Sequence, residues 1–354
     1  METRAAKRRA NASTIVLVEN QYLKKQRVVL GELPNLPNLI VPATLNHPKE
    51  KLQCQKNTNV EKPAPKNKTI SSQDANLDHT QIGEPYVSEI YGYLHAMEMQ
   101  SKRRPRIDYI ENVQKEVTTN MRGILVDWLV EVAEEYKLLS DTLHLSVSYI
   151  DRFLSVKPVS KSRLQLLGVS SMLIASKYEE IKPPGVDEFC GITDNTYDKR
   201  EVVKMEADIL KSLNFEMGSP TVNTFLRRFV AFASENQNTP NLQIEFLSSY
   251  LAELCLLDYD CLRFLPSIVA ASVVFLAKFI IRPEVHPWTS SLWECSGYKS
   301  IELKECVLVL HDLYLSRKAA SFKAAREKYK QHKFKYVANM PSPPHIPKHY
   351  FEDQ

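Results

Sequence analysis

Two stretches of this 354-residue chain, Leu164 to Ser176 and Phe264 to Ala277, run for thirteen and fourteen residues without a charge. Both fall short of the ~20 residues that a bilayer-spanning helix needs, so each is expected as a core helix that the rest of the chain encloses. They also occupy equivalent places in an internal repeat. A shift of about one hundred residues lays Val169-Ser170-Ser171-Met172-Leu173-Ile174-Ala175-Ser176-Lys177-Tyr178 over Ala270-Ala271-Ser272-Val273-Val274-Phe275-Leu276-Ala277-Lys278-Phe279. Further on, Val203, Ile209, Leu210 and Leu213 fall on Leu303, Val309, Leu310 and Leu313. The pattern predicts two similar helical units joined near Gly218-Ser219-Pro220, each with one uncharged central helix wrapped by four amphipathic ones. Gly168, Ser170, Ser171 and Ala175, with Ala270, Ala271 and Ser272, would let neighbouring helices approach closely.

Proline-marked breaks at Pro158, Pro183-Pro184, Pro220, Pro240, Pro283 and Pro287 divide the region from Pro85 onward into about ten helices. In the clearest of them Met121, Ile124, Leu125, Trp128, Leu129, Val132, Ala133 and Tyr136 recur at helical spacing after the capping candidates Thr118-Thr119-Asn120. Others are expected over Thr142–Leu154, Ser162–Tyr178, Val186–Cys190 and Asp198–Leu213. The chain has only 9 glycines, which disfavours folds built on glycine-rich phosphate loops or many tight β-turns. The fold class is therefore all-α.

Residues 1–80 differ in kind. They hold one of the 32 aromatics, Tyr22, six prolines, and 13 Lys+Arg against 7 Asp+Glu, which leaves 33 against 35 for the remainder. Such a segment cannot offset its ordering entropy and reads as a disordered basic tail. A near-neutral body lacks the basic stripe that coating a nucleic acid requires.

The six cysteines form no C-x-x-C pair, and no His is spaced to complete a zinc site. No metal and no cofactor is expected, and the cysteines read as reduced. The apolar run after Lys7-Arg8-Arg9, Ile15 to Val18, is shorter than a signal-peptide core. No phosphate-loop, nucleophile-elbow or zincin motif occurs, so no enzyme is expected.

Met121-Arg122-Gly123-Ile124-Leu125-Val126-Asp127-Trp128-Leu129-Val130-Glu131-Val132, continuing through Tyr136-Lys137-Leu138 and Asp141-Thr142-Leu143 to Ile150-Asp151-Arg152-Phe153-Leu154-Ser155, closely resembles the first cyclin box of the A-type cyclins. Ala175-Ser176-Lys177-Tyr178-Glu179-Glu180-Ile181 before Pro183-Pro184 matches the same family. The likeness spans roughly residues 84–335 and looks plant-like. It implies tandem five-helix cyclin boxes, with a tail over 1–80, an N-terminal helix and first box over 81–218, a second box over 219–335 and a C-terminal tail over 336–354. It further implies a regulatory subunit that binds and activates a cyclin-dependent serine/threonine kinase between S phase and mitosis.

On pattern alone Lys177 reads as a lysine snorkelling from the core, and Glu206 as part of a solvated helix face. The resemblance implies instead that both hydrogen-bond the kinase, with Tyr178, Leu210, Phe215, Tyr86, Ile90 and Tyr93 giving apolar contact. On periodicity alone Met121, Leu125 and Trp128 are core. The resemblance makes Met121, Arg122, Ile124, Leu125, Trp128, Leu164 and Gln165 a groove for R-x-L substrates and inhibitors, with Glu131 meeting the peptide's arginine. Gly123 stands where animal relatives commonly carry Ala, at a helix cost of about 1 kcal/mol.

In the tail, Arg27-Val28-Val29-Leu30-Gly31-Glu32-Leu33-Pro34-Asn35 resembles the mitotic destruction box, in which Arg27, Leu30, Gly31, Leu33 and Asn35 carry the match. That implies recognition by the anaphase-promoting ubiquitin ligase. Lys7-Arg8-Arg9 is a candidate nuclear-import signal, so the expected location is the nucleus, with a cytoplasmic fraction. Neither a membrane nor direct nucleic-acid contact is expected. The rival reading is a tandem cyclin-fold transcription factor on promoter DNA, a family in which a zinc ribbon and a basic repeat surface would be expected.

Overall fold

The structure is a computed structural model that describes residues 84–234, 242–315 and 322–352. Among these, every regular element is an α-helix or a 3-10 turn. Helix α1 spans Glu84–Glu98 and a single turn, α2, spans Tyr109–Asn112. Five helices form the first bundle: α3 (Thr119–Glu135), α4 (Ser140–Leu154), α5 (Leu164–Glu179), α6 (Val186–Ile192) and α7 (Lys199–Ser212). Five more form the second: α8 (Val222–Ser234), α9 (Leu242–Leu257), α10 (Pro266–Ile281), α11 (Ser290–Ser296) and α12 (Ser300–Leu315). A short α13 (Ala324–Tyr329) follows.

The repeat is borne out helix by helix. The central helices α5 and α10 are each 16 residues long, and the fourth helices α6 and α11 each seven. From Leu164 to Ser176 every α5 residue except Gln165 is buried, as the absence of charge requires. Helices α4 and α7 pack on α5, and α8, α9 and α12 pack on α10. Local signals set the ends. Thr118 Oγ1 accepts the Met121 N–H at the start of α3. Asp198 and Glu201 form a reciprocal capping box at the start of α7. Pro266 opens α10, and Gly297 closes α11 at φ +77°.

One buried network ties α2, the first bundle and the second together. The Arg122 guanidinium donates to both Asp151 oxygens at 2.8 Å and to the Leu256 carbonyl in α9 at 2.8 Å. Tyr109 Oη donates to Asp151 at 2.8 Å. Arg122 is thus a cross-link between the bundles, and its expected place in the docking groove is corrected. It is spent on a partner 29 residues away that helix periodicity does not reveal.

The stretch read as a C-terminal tail over 336–354 is corrected too. Phe351 stacks on Phe275 with ring centroids 5.2 Å apart, Tyr350 Oη donates to the Pro283 carbonyl at 2.9 Å, and Tyr314 Oη donates to the Met340 carbonyl at 2.6 Å. Val337, Ala338 and Ile346 are buried as well. Residues 336–352 therefore complete the second bundle. No described helix is long and apolar enough to cross a membrane, and no described group of three His, Cys, Asp or Glu is placed to hold a metal.

Candidate functional site

Lys177 lies in the last turn of α5, where its long side chain leaves the core, and Glu206 lies midway along α7. The packing of α5 on α7 brings Lys177 Nζ to 2.6 Å from Glu206 Oε1. The core side of α7 is Val202, Met205 and Ile209, which leaves Glu206 and Leu210 half-buried at its edge. Val203, one turn before Glu206, is exposed on the same side. It was not among the expected contacts, although its spacing from Leu210 marks it.

Exposed apolar side chains flank this ion pair along the chain. Tyr178 is exposed beside Lys177, and Ile181 keeps 98% of its surface in solvent. After α7 the backbone turns left-handed at Asn214 (φ +52°) and Phe215 (φ +57°), with the Phe215 N–H closing on the Leu210 carbonyl at 2.9 Å. A bulky residue pays of order 1–2 kcal/mol to sit in that region, and here it leaves Phe215 67% exposed. Strain that serves no burial points to a function. Glu179 adds a carboxyl pushed up from its ordinary range, first by partial burial and then by Glu180.

On α1, Tyr86, Ile90 and Tyr93 repeat at i, i+4 and i+7, and all three are exposed. The opposite side of α1 is anchored. Arg228 covers the Tyr91 ring at 4.2 Å, and the buried Glu98 carboxylate accepts both the Ser267 N–H at 3.0 Å and its hydroxyl at 2.5 Å. The turn after α1 reaches the strained loop, where Lys102 pairs with Glu216 at 2.6 Å and Arg103 donates to the Gly218 carbonyl at 3.3 Å. The Lys102 ammonium holds the Glu216 carboxyl below its ordinary range.

A second surface lies on α3 and α5. Leu125 and Leu164 are buried and form its floor, Met121, Trp128, Glu131 and Gln165 are half-buried, and Ile124 is exposed. The helices approach closely at Gly168, where an added Cβ would lie 2.8 Å from Leu125 Cδ1. On the back of α3, a Cβ on Gly123 would run into the Phe322 ring, and Asp127 accepts the N–H groups of Lys323 (3.1 Å) and Ala324 (2.9 Å). Gly123 thus answers to the segment behind the helix rather than to the groove in front. The destruction-box residues Arg27 to Asn35 lie outside the described residues.

Comparison with known proteins decides the family. The family model for the cyclin N-terminal domain matches residues 89–218, and that for the cyclin C-terminal domain matches 220–343. The chain belongs to the cyclin family. Within it the likeness is to plant A-type cyclins. Cyclin-A3-4 of Arabidopsis thaliana is 54% identical over 99% of this chain and 95% of its own length. Cyclin-A3-1 of rice, Oryza sativa subsp. japonica, is 54% identical over 99% and 95%. The G2/mitotic-specific cyclin C13-1 of carrot, Daucus carota, is 54% identical over 93% and 96%. Among solved structures, a viral cyclin from herpesvirus saimiri superposes with a TM-score of 0.56 at 23% identity, covering 63% of this chain and 96% of its own, a likeness of fold. The A-type resemblance of the Met121 to Val132 run agrees with the two A3 relatives.

Proposed function

We propose that this cyclin is the regulatory subunit of a cyclin-dependent kinase and that it activates the kinase by holding its regulatory helix in the active position. The observation that carries this is the Lys177–Glu206 pair at 2.6 Å, with exposed Tyr178, Ile181, Val203 and Phe215 on the same two helices and the turns that follow them. A rigid, partly charged platform with apolar surroundings suits a helix that must be fixed in one of two positions. Its docking completes the lysine–glutamate ion pair that aligns ATP phosphates in kinases and helps order the activation segment. To shift a kinase from 1:99 to 99:1 active takes a differential affinity of about 5.5 kcal/mol, which calls for an interface of roughly 2,000 Å² or more. The Tyr86, Ile90 and Tyr93 face of α1 supplies further apolar area toward that interface.

The finer parts of the reading rest on the same resemblance. The Met121, Ile124, Leu125, Trp128, Glu131, Leu164 and Gln165 surface docks R-x-L segments of substrates and inhibitors and raises their local concentration near the kinase. The Arg27 to Asn35 segment directs removal through the anaphase-promoting ubiquitin ligase, and the complex acts in the nucleus in S phase to mitosis. The name of the carrot relative refers to G2 and mitosis, which supports that timing. Lys177→Ala with Glu206→Ala tests the central assignment: co-purification with the kinase and its activation are lost while helical content is unchanged. Undiminished activation would sink it. Arg27→Ala with Leu30→Ala prolongs the lifetime of the chain in mitotic extract, and equally rapid loss would remove the degron.

A further inference from the structure

The second bundle carries an exposed face that lies on none of the elements α1, α5 and α7 that form the proposed kinase platform. On α12, Ile301, Leu308 and Leu315 recur at intervals of seven and keep 47%, 44% and 41% of their surface in solvent. Glu305 and Asp312 stand between them at i+4 and i+11, so one side of the helix alternates apolar and acidic residues over two heptads. Lys304 lies on the flank away from those two acids. The core side of α12 is a separate set, Leu303, Cys306, Val307 and Leu310, all buried. Packing within the bundle therefore leaves Ile301, Leu308 and Leu315 unaccounted for.

Beside this stripe opens a cleft of about 660 Å³ between the start of α3, the end of α9 and α12. Leu254, Leu257 and Phe322 line it together with Leu308 and Asp312 of the stripe. Asp258 and Asp260, in the turn after α9, line it as well. None of the three aspartates is in an ion pair among the described residues, and the guanidinium lining the cleft, Arg263, is already engaged by Glu305 at 2.9 Å. Partial burial pushes the Asp258 carboxyl up from its ordinary range, the mark of a carboxylate that has given up part of its hydration.

We propose that this face of α12 and the adjoining cleft dock a basic amphipathic helix of a partner protein. Its apolar side chains would lie against Ile301, Leu308 and Leu315, and its lysines or arginines over Asp258, Asp260 and Asp312. Charge selects this occupant. A second copy of the chain would set acid against acid, and an anionic lipid surface would be repelled. The cleft's volume lies within the roughly 300–1,000 Å³ of sites that enclose a few anchoring groups, and apolar anchors at heptad spacing are how a groove reads a helix.

The test uses the full chain and a fluorescein-labelled synthetic Leu/Lys helix with leucines spaced by three and four residues, followed by fluorescence anisotropy. A Leu/Glu helix of the same pattern is the control. The Leu/Lys helix binds and the control does not. Leu308→Asp and Asp312→Lys each weaken binding by about tenfold or more, and amide-exchange protection falls on residues 258–263 and 301–315. Both positions face solvent, so thermal unfolding matches the parent chain; Ile301→Lys replaces either variant that melts early. Equal affinity in the variants, absence of binding, or protection confined to Met121–Trp128 would overturn the proposal. So would a concentration-dependent dimer that Leu308→Asp abolishes, which assigns the face to a second copy.

Discussion

A guanidinium is at home in the core of the first bundle because Arg122 meets both oxygens of Asp151 and a backbone carbonyl, which leaves little of its charge unanswered. Removing one partner strands the other. Asp151→Ala is expected to cost about 3–5 kcal/mol, read as a fall in the urea midpoint at unchanged slope. The sequence shows Arg122 among apolar neighbours and gives no clue to a partner one helix away, so nothing in it opposes the groove that the resemblance implies. Gly123 is similar. Its cost to α3 is legible, but its cause, Phe322, lies 199 residues on. Gly123→Ala therefore gains stability only when Phe322→Ala accompanies it, by about 1 kcal/mol, and a double-mutant cycle on melting temperatures checks the sign.

At the scale of elements, α3 is held from behind while its front stays open. Asp127 receives two N–H groups at the start of α13, Lys333 pairs with Glu134, and Lys328 and Tyr329 both reach the buried Glu253 carboxylate at 2.6 and 2.9 Å. Asp127→Ala is expected to free the Lys323 and Ala324 amides, raising their exchange rates and costing about 0.5–2 kcal/mol, as loss of a helix cap does. Periodicity disclosed α3, α4, α5 and α7 to within about two residues because each buries a continuous apolar face. It could not disclose the strained turn at Phe215, since α7 ends on Ser212 and Leu213 without a glycine to announce a left-handed step. Residues 336–352 lie beyond the stretch of resemblance, which ends near 335, and their role in the core appears only where Tyr350 and Phe351 find partners on Pro283 and Phe275.

Over the whole molecule, the two bundles, α1, α13 and the C-terminal segment share one buried core, and its titration sets the pH response. Burial holds the imidazoles of His144 and His311 below their ordinary value. Each folds in its neutral form, so stability is full above the unfolded histidine value of about 6.5 and falls as the pH drops below it toward the folded values. Urea midpoints should decline between about pH 7 and 5, and His144→Gln should make that decline shallower. The repeat, the central helices and the positions of Lys177 and Glu206 were legible because each follows from local pattern or family likeness. The Lys177–Glu206 contact itself needed the packing of α5 on α7.

The most direct test of the central claim is histone phosphorylation by a purified cyclin-dependent kinase incubated with this cyclin or with its Lys177→Ala, Glu206→Ala variant at matched concentration and helicity. The parent chain raises the kinase rate well above that of the kinase alone and the variant leaves it near the basal level. A variant that activates as well as the parent contradicts the account.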